Sequence, residues 1–154
     1  MNNKKAVIRI VLIFTLAFSP LFLAGYLSWK SNHFACESEI TVISNKGSYD
    51  AIMLFTFNGG EGWYSSVGDL QEAGQPTKKT SHEMRFRYVL DNKDIVMISE
   101  QTDANPGRLD KLSYLVPDFF RIQGRGISIH LLHQNVSSYI FTQDNMPLFY
   151  CAQT

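Results

Sequence analysis

A single long apolar segment near the N-terminus constrains this chain more than any other feature of its sequence. Ile10–Ser28 contains no charged side chain. About 20 apolar residues in a helix cross the roughly 30 Å hydrocarbon core of a bilayer. Tyr26 and Trp29 lie at the end of the segment, and such amphipathic aromatic residues favour the headgroup region. The segment therefore predicts a transmembrane helix, which we place at residues 10–29.

The basic residues around this segment predict how the chain crosses the membrane. Lys4, Lys5 and Arg9 precede the segment, whereas Lys30 follows it. Because lysine and arginine are in excess on the cytoplasmic side of membrane helices, we expect the N-terminus in the cytoplasm. The chain is thus predicted to be a single-pass bacterial inner-membrane protein. Its predicted parts are a cytoplasmic N-terminus (1–9), the transmembrane anchor (10–29), a short tether (30–35) and a periplasmic domain (36–154).

The same segment has a rival interpretation as a cleaved signal peptide, which also combines a basic start with an apolar middle. Signal peptides usually carry an apolar stretch of about 7 to 15 residues and end at an A-x-A-like site. The segment here is longer, and Leu23 stands where a small residue is preferred in the candidate site Leu23-Ala24-Gly25. The sequence favours an uncleaved anchor, and cleavage near Gly25 or Tyr26 is the alternative.

Two cysteines stand near the two ends of the exported part, Cys36 at its beginning and Cys151 close to its end. Two thiols in one small domain usually pair in an oxidising compartment such as the periplasm. We therefore predict a Cys36–Cys151 disulfide, which would bring the first and last segments side by side. The alternative is two unrelated buried thiols. Zinc or redox chemistry is disfavoured, because the sequence has no C-x-x-C motif.

Alternation of apolar and polar residues predicts that the exported part is mainly β. In the clearest case, Met84, Phe86 and Tyr88 face one way, and Arg85 and Arg87 face the other. The predicted strands are Glu37–Ile43, Tyr49–Phe57, Trp63–Leu70, His82–Leu90, Ile95–Ser99, 127–132, Tyr139–Thr142 and Leu148–Cys151. Short turns join most of them, as in an antiparallel meander.

One short helix interrupts this pattern at Leu109–Val116, and Pro117 ends it. So little helix cannot cover the apolar face of seven or eight strands. The sheet is therefore predicted to curl into a small barrel or a sandwich. A disulfide between the first and last strands favours closure.

Five segments spread along the chain form a recognisable set: Cys36, Gly60–Gly62, Met84–Tyr88, Leu115–Phe120 and Met146–Cys151. They are similar to the FidL-like family, which comprises small enterobacterial inner-membrane proteins with one N-terminal span. The resemblance covers essentially the whole chain, and its more specific parts are Pro-Asp-Phe-Phe and Pro-x-Phe-Tyr-Cys. Val116 stands where leucine is usual, which is a mild departure.

The resemblance implies a role beside a membrane-bound transcription regulator. FidL-type proteins accompany ToxR-like regulators, much as ToxS accompanies ToxR. Periplasmic partners of the ToxS kind can be lipocalin-like barrels that pair with the regulator and, in some systems, hold bile salts. The family brings no established catalytic or ligand residues, so the implication concerns role and fold by analogy.

Catalysis, metal binding and nucleic-acid binding have little support in the sequence. Net charge is zero, which gives no electrostatic footprint for nucleic acid. No G-x-S-x-G motif is present. His130 and His133 lie in a strand pattern, so their side chains are expected on opposite faces of the strand. They are therefore not expected to bind the same metal ion. We predict a protein that is not an enzyme and has no cofactor.

Two sets of residues are candidates for contact with other molecules. Pro117, Phe119 and Phe120 offer an apolar anchor to a protein partner, although both phenylalanines also suit a plug at the end of the barrel. Arg85 and Arg87, on the outer face, suit a partner's carboxylates or lipid headgroups, or simple protection of the sheet.

The inner face of the sheet is the candidate for a small ligand. Its residues form an ordinary core or line a cavity, since a barrel of about eight strands holds either packed side chains or one small ligand. These residues are Met53, Phe55, Phe57, Met84, Phe86 and Tyr88. We consider three functions, in this order: an accessory to a membrane-bound regulator, a module that binds a small, bile-salt-like hydrophobe, and an enzyme.

Overall fold

A computed structural model describes residues 2–91, 93–102, 116–135 and 137–154. In these residues the chain forms one long helix followed by eight strands and a short 3₁₀ helix, Asp118–Phe120. The long helix is α1 (Asn2–Ser31). The strands are β1 (His33–Ser44), β2 (Gly47–Asn58), β3 (Glu61–Glu72), β4 (Lys78–Asp91), β5 (Asp94–Thr102), β6 (Gly126–Asn135), β7 (Ser138–Gln143) and β8 (Met146–Gln153).

The helix α1 is long and apolar enough over Val7–Ser31 to cross a membrane, and no part of its most apolar window is buried against the rest of the chain. It contains Pro20, which membrane helices tolerate. The tether predicted at 30–35 is divided between two elements, because α1 ends at Ser31 and β1 begins at His33. Asn32 alone links the helix to the sheet.

The strands form a closed antiparallel barrel in the order β1 to β8. This confirms the mainly β class and the meander, and it decides for the barrel over the sandwich. The Gly59-Gly60 turn between β2 and β3 has φ values of 62° and 106°, which glycine adopts without steric cost. The predicted strands extend by a few residues in the structure but keep their order and their buried faces.

Closure of the barrel depends on a short ladder between β1 and β8. This ladder pairs Cys36 with Gln153 and Glu37 with Ala152. Among the described residues, Ser38–Ser44 of β1 pair only with β2, and Met146–Tyr150 of β8 pair only with β7. These two facing strand edges are here termed the seam.

The predicted disulfide is present: Cys36 is bonded to Cys151 across the β1–β8 ladder. Both side chains are fully buried. The first and last strands are therefore neighbours, as the position of the two cysteines in the sequence predicted.

Hydrogen bonds hold one end of the barrel against the end of α1. The carbonyl oxygen of Asn32 accepts from the Gly59 amide at 2.9 Å and from the Tyr88 hydroxyl at 2.8 Å. The His33 ring stacks on Trp29 with centroids 4.7 Å apart. The end with the Gly59-Gly60 turn is here termed the helix-proximal end, and the opposite end, with the Asn45-Lys46 turn, the helix-distal end.

The core is divided unevenly between these two ends. A large cluster of buried aromatic residues fills the middle and the helix-proximal half, where Phe34 stacks on Phe57 with centroids 4.5 Å apart. A small cluster of Tyr49, Ala51 and Leu70 lies toward the helix-distal end. The short helix predicted at Leu109–Val116 lies outside the described residues except for Val116. The 3₁₀ helix then follows Pro117.

Candidate functional site

A cavity of about 400 Å³ lies in the helix-distal half of the barrel. Both edges of the seam contribute to its wall, since Ile40 and Val42 come from β1 and Leu148 and Phe149 come from β8. The remaining wall is formed by Glu39, Thr41, Tyr49, Met53, Tyr64, Val116, Pro117, Phe120, Ile127 and Ile129. The cavity is thus accessible where β1 and β8 do not pair.

The aromatic packing of the core ends where the cavity begins. Along β2 the inward-facing residues are Tyr49, Ala51, Met53, Phe55 and Phe57. Phe55 stacks on Phe149 with centroids 5.4 Å apart, so the aromatic packing fills the barrel up to this level. Beyond it, Tyr49 and Met53 line the cavity, whereas Ala51 packs with Tyr49 and Leu70 in the small cluster.

Most of the wall is apolar, and its polar groups are held by neighbours on the sheet. The Thr41 hydroxyl donates to the Asp50 carboxylate at 2.7 Å. Burial raises the pKa of the Tyr64 phenol well above its usual value, against a smaller opposing effect of a side-chain hydrogen bond to Ser66. Tyr64 therefore stays neutral, and it presents a ring and a hydroxyl rather than a charge.

Three buried polar residues flank the lining residue Met53 on the inner face of β1 to β4. Ser38, Met53, Ser66 and His82 are neighbours in register across these four strands. The Nε2 atom of His82 lies 2.6 Å from the carbonyl oxygen of Phe120, which is hydrogen-bond distance. The Ser38 hydroxyl is buried and has no hydrogen-bond partner among the described residues. An unpaired buried hydroxyl costs free energy unless a water or a ligand satisfies it.

The predicted inner-face residues are all buried in the large core cluster, and one of them, Met53, also lines the cavity. The other five form part of the packed core: Phe55, Phe57, Met84, Phe86 and Tyr88. Phe57, for example, packs its ring edge-to-face against Phe86 at 5.5 Å.

The residues predicted as partner contacts also separate. Pro117 is exposed, whereas Phe119 and Phe120 are buried, with Phe120 4.7 Å from the Tyr64 ring. The two phenylalanines thus close the interior, and Pro117 and Phe120 both line the cavity. Arg85 and Arg87 are exposed on the outer face of β4, and Arg87 forms an ion pair with Glu100.

Sequence reasoning did not select most of the cavity wall. Ile40 lies in the predicted strand Glu37–Ile43, as does Val42, but nothing marked either residue as lining a space. The wall combines residues of β1, β2, β3, β6 and β8, which meet only when the barrel is closed. No signal in the sequence identified this combination.

The described residues offer no arrangement for metal binding, since no group of three or more His, Cys, Asp or Glu side chains comes together in them. His130 contacts Asp94 at 2.6 Å on the surface. His133 instead packs on the Tyr139 ring at 4.5 Å. The arrangement at the cavity suits binding of an apolar molecule rather than acid–base chemistry.

Comparison with known proteins gives no independent identification, because no protein-family model and no curated protein sequence matches the chain. The resemblance to the FidL-like family therefore stays a prediction.

Proposed function

We propose that this chain is a membrane-anchored, non-catalytic protein whose barrel binds a small hydrophobic molecule. The observation that carries the proposal is the cavity of about 400 Å³ with a mainly apolar wall. Binding sites for small molecules are typically clefts of about 300–1,000 Å³ with apolar walls and a few polar groups. The barrel cavity has the size and the wall expected of such a site.

Access to the cavity supports the same proposal. The β1–β8 ladder is limited to the region of Cys36 and Glu37, and the cavity wall begins two residues further along β1, at Glu39. A ligand can therefore enter between the strand edges without breaking backbone hydrogen bonds within the described sheet. Met53, on the inner wall, adapts readily to ligands of different shape.

The proposal places the barrel outside the cytoplasm, with α1 as the anchor. The apolar length of Val7–Ser31 and the basic residues before it support this topology. The Cys36–Cys151 bond supports an oxidising compartment, such as the periplasm. Because Asn32 alone separates helix and barrel, the helix-proximal end of the barrel would stand at the membrane surface, and the cavity would lie in the half that faces away from it.

The test compares the small molecules that remain with the full-length protein after extraction into polymer-bounded lipid discs. In Val42→Trp, an indole would occupy the cavity from the half-buried position on β1. Val89→Trp, at an exposed position on β4, is the matched control. Mass spectrometry should find a hydrophobic species in the wild type and in Val89→Trp that is depleted in Val42→Trp. Equal small-molecule content in all three proteins would contradict the proposal.

A second candidate function is an accessory to a membrane-bound, ToxR-like transcription regulator, as the FidL-like resemblance implies. The edges of the seam favour it, because they are unpaired within the part of the chain that the structure describes, and exposed strand edges accept an added strand from a partner. The two functions are compatible, since a ligand in the cavity would lie directly beside a partner at the seam.

A further inference from the structure

We infer that the cavity selects uncharged hydrophobic molecules and excludes anionic amphiphiles such as bile salts and fatty-acid anions. This inference rests on the proposed binding function and names the chemical class of its ligand. It follows from the charges around the cavity wall. The size and apolar character of the cavity do not by themselves distinguish a charged ligand from an uncharged one.

The charge on the wall is negative. Among the described residues that line the cavity, Glu39 is the charged one and none is basic. A second carboxylate, Asp50, is exposed beside the wall, where it accepts a hydrogen bond from the wall residue Thr41. An anionic ligand would therefore meet like charge at the seam, and like charges brought together oppose binding.

A basic residue close in sequence to the wall, Arg121, already has an ion-pair partner. Arg121 follows the 3₁₀ helix, close in sequence to the wall residues Val116 and Pro117. Its guanidinium is paired with Asp118 and donates to the carbonyl oxygen of Val116 at 3.3 Å. An anion in the cavity would have to displace Asp118 to gain this cation.

Toward the interior, the wall presents the Tyr64 phenol, which is neutral. A hydroxyl both donates and accepts, so this group suits a ligand with a hydroxyl or carbonyl at its inner end. Burying a carboxylate or sulfonate beside it would cost far more, because a buried charge needs a paired counter-charge.

The experiment uses two fluorescent probes with the same ring skeleton, uncharged N-phenyl-1-naphthylamine and anionic 8-anilinonaphthalene-1-sulfonate. The full-length protein is held in nanodiscs of zwitterionic phosphatidylcholine. The fluorescence measured with nanodiscs that carry the Val42→Trp variant is subtracted, which removes the contribution of probe bound to lipid. We expect saturable binding of the uncharged probe and binding of the anion weaker by about tenfold or more.

Charge variants then test the cause of the selectivity. Glu39→Lys should tighten binding of the anionic probe relative to the uncharged probe, so that the ratio of the two affinities falls. Glu83→Lys makes the same charge change at an exposed position on β4 away from the cavity, and it should alter neither. Circular dichroism and an intact disulfide verify folding of each variant.

The outcomes separate the inference from the function on which it rests. Wild-type protein that binds the anion as tightly as the uncharged probe would overturn the selectivity and leave the binding function standing. A ratio of the two affinities that is unchanged in Glu39→Lys would overturn the electrostatic origin assigned here. If neither probe binds in saturable excess over Val42→Trp, the proposed binding function fails and the inference fails with it.

Discussion

Cys36 on β1 is bonded to Cys151 on β8, with their Cα atoms 5.4 Å apart. Cys36 pairs in register with Gln153, so the bond crosses the ladder diagonally, toward the side on which the seam begins. The disulfide therefore fixes the point at which β1 and β8 stop pairing. It holds the barrel closed beside an opening that leads to the cavity.

Removing this bond should lower stability strongly. The double variant Cys36→Ala/Cys151→Ala leaves no free thiol and frees a loop with a sequence separation of 115. On chain-entropy arguments we expect a loss of about 4–5 kcal/mol in the free energy of unfolding, measured by denaturant titration. Mass mapping of the non-reduced wild-type protein is the control. Two free thiols in the exported protein would refute the bond.

A glycine in β3 should be intolerant of even one methyl group. A Cβ on Gly62 would lie 2.2 Å from the Phe86 ring and 2.9 Å from the carbonyl oxygen of Thr56. Gly62→Ala should therefore cost about 1–3 kcal/mol through overpacking. At Gly126 in β6, the first contact of such a Cβ is at an ordinary 3.6 Å. Gly126→Ala is the matched control, and thermal unfolding that shifts equally in both variants would contradict the close contact.

Buried tyrosines should make the barrel sensitive to alkali. Burial raises the pKa values of Tyr64, Tyr88 and Tyr139 above the ordinary value of 10.0. Because the unfolded chain releases the phenol proton first, stability is complete below pH 10.0 and falls as the pH rises through the folded pKa. Unfolding titrations at increasing pH should show this fall.

The largest single contribution is expected from Tyr64, which is the most deeply buried of the three. Tyr64→Phe should reduce the loss of stability at alkaline pH. At neutral pH it should lower the free energy of unfolding by about 1 kcal/mol, because a hydrogen bond is lost. Tyr150→Phe, at an exposed position, should leave the fall unchanged. An identical pH dependence in both variants would contradict the assignment.

The strand order followed from the sequence because each inner face alternates clearly, as in Met84, Phe86 and Tyr88. The ends of the strands were harder to predict from the sequence where the inward-facing residue is polar. The strand β4 begins at Lys78 rather than His82, and the buried residue in the added segment is Thr80, which no apolar pattern marks. The disulfide was predictable because compartment and cysteine positions both pointed to it.

The cavity was less predictable, because it depends on which residues face each other across the closed barrel. Closure of the barrel brings together the lining residues Met53 of β2, Ile127 and Ile129 of β6 and Phe149 of β8. The seam depends likewise on where the β1–β8 ladder ends, after Glu37. Alternation along one strand carries no information about either relationship.

Topology is testable without reference to the ligand. If α1 anchors the chain with its basic N-terminus in the cytoplasm, a reporter active only in the periplasm should be active after Thr154. The mature protein should then retain Met1 or Asn2. A reporter active only in the cytoplasm should be silent at the same site. Recovery of a soluble form that begins near Gly25 or Tyr26 would show cleavage instead.

The accessory role predicts contact with a regulator at the seam. A photo-crosslinking residue at Thr41 or Leu148, on the two facing edges, should capture a single-pass membrane protein with a cytoplasmic DNA-binding domain. The same residue at Val89, exposed on β4, is the control and should not capture it. Protein sequencing of the product identifies the captured chain.

Contact alone does not establish regulation, so the second measurement is the abundance and output of that regulator. Deleting the gene for this chain should lower one or both, because a strand added at the seam would stabilise the partner's domain. Val42→Trp, which fills the cavity without changing the outer edge of β1, separates ligand binding from pairing. If the regulator is equally stable and active without this chain, in the presence and absence of bile, the accessory role is wrong and the ligand-binding function stands alone.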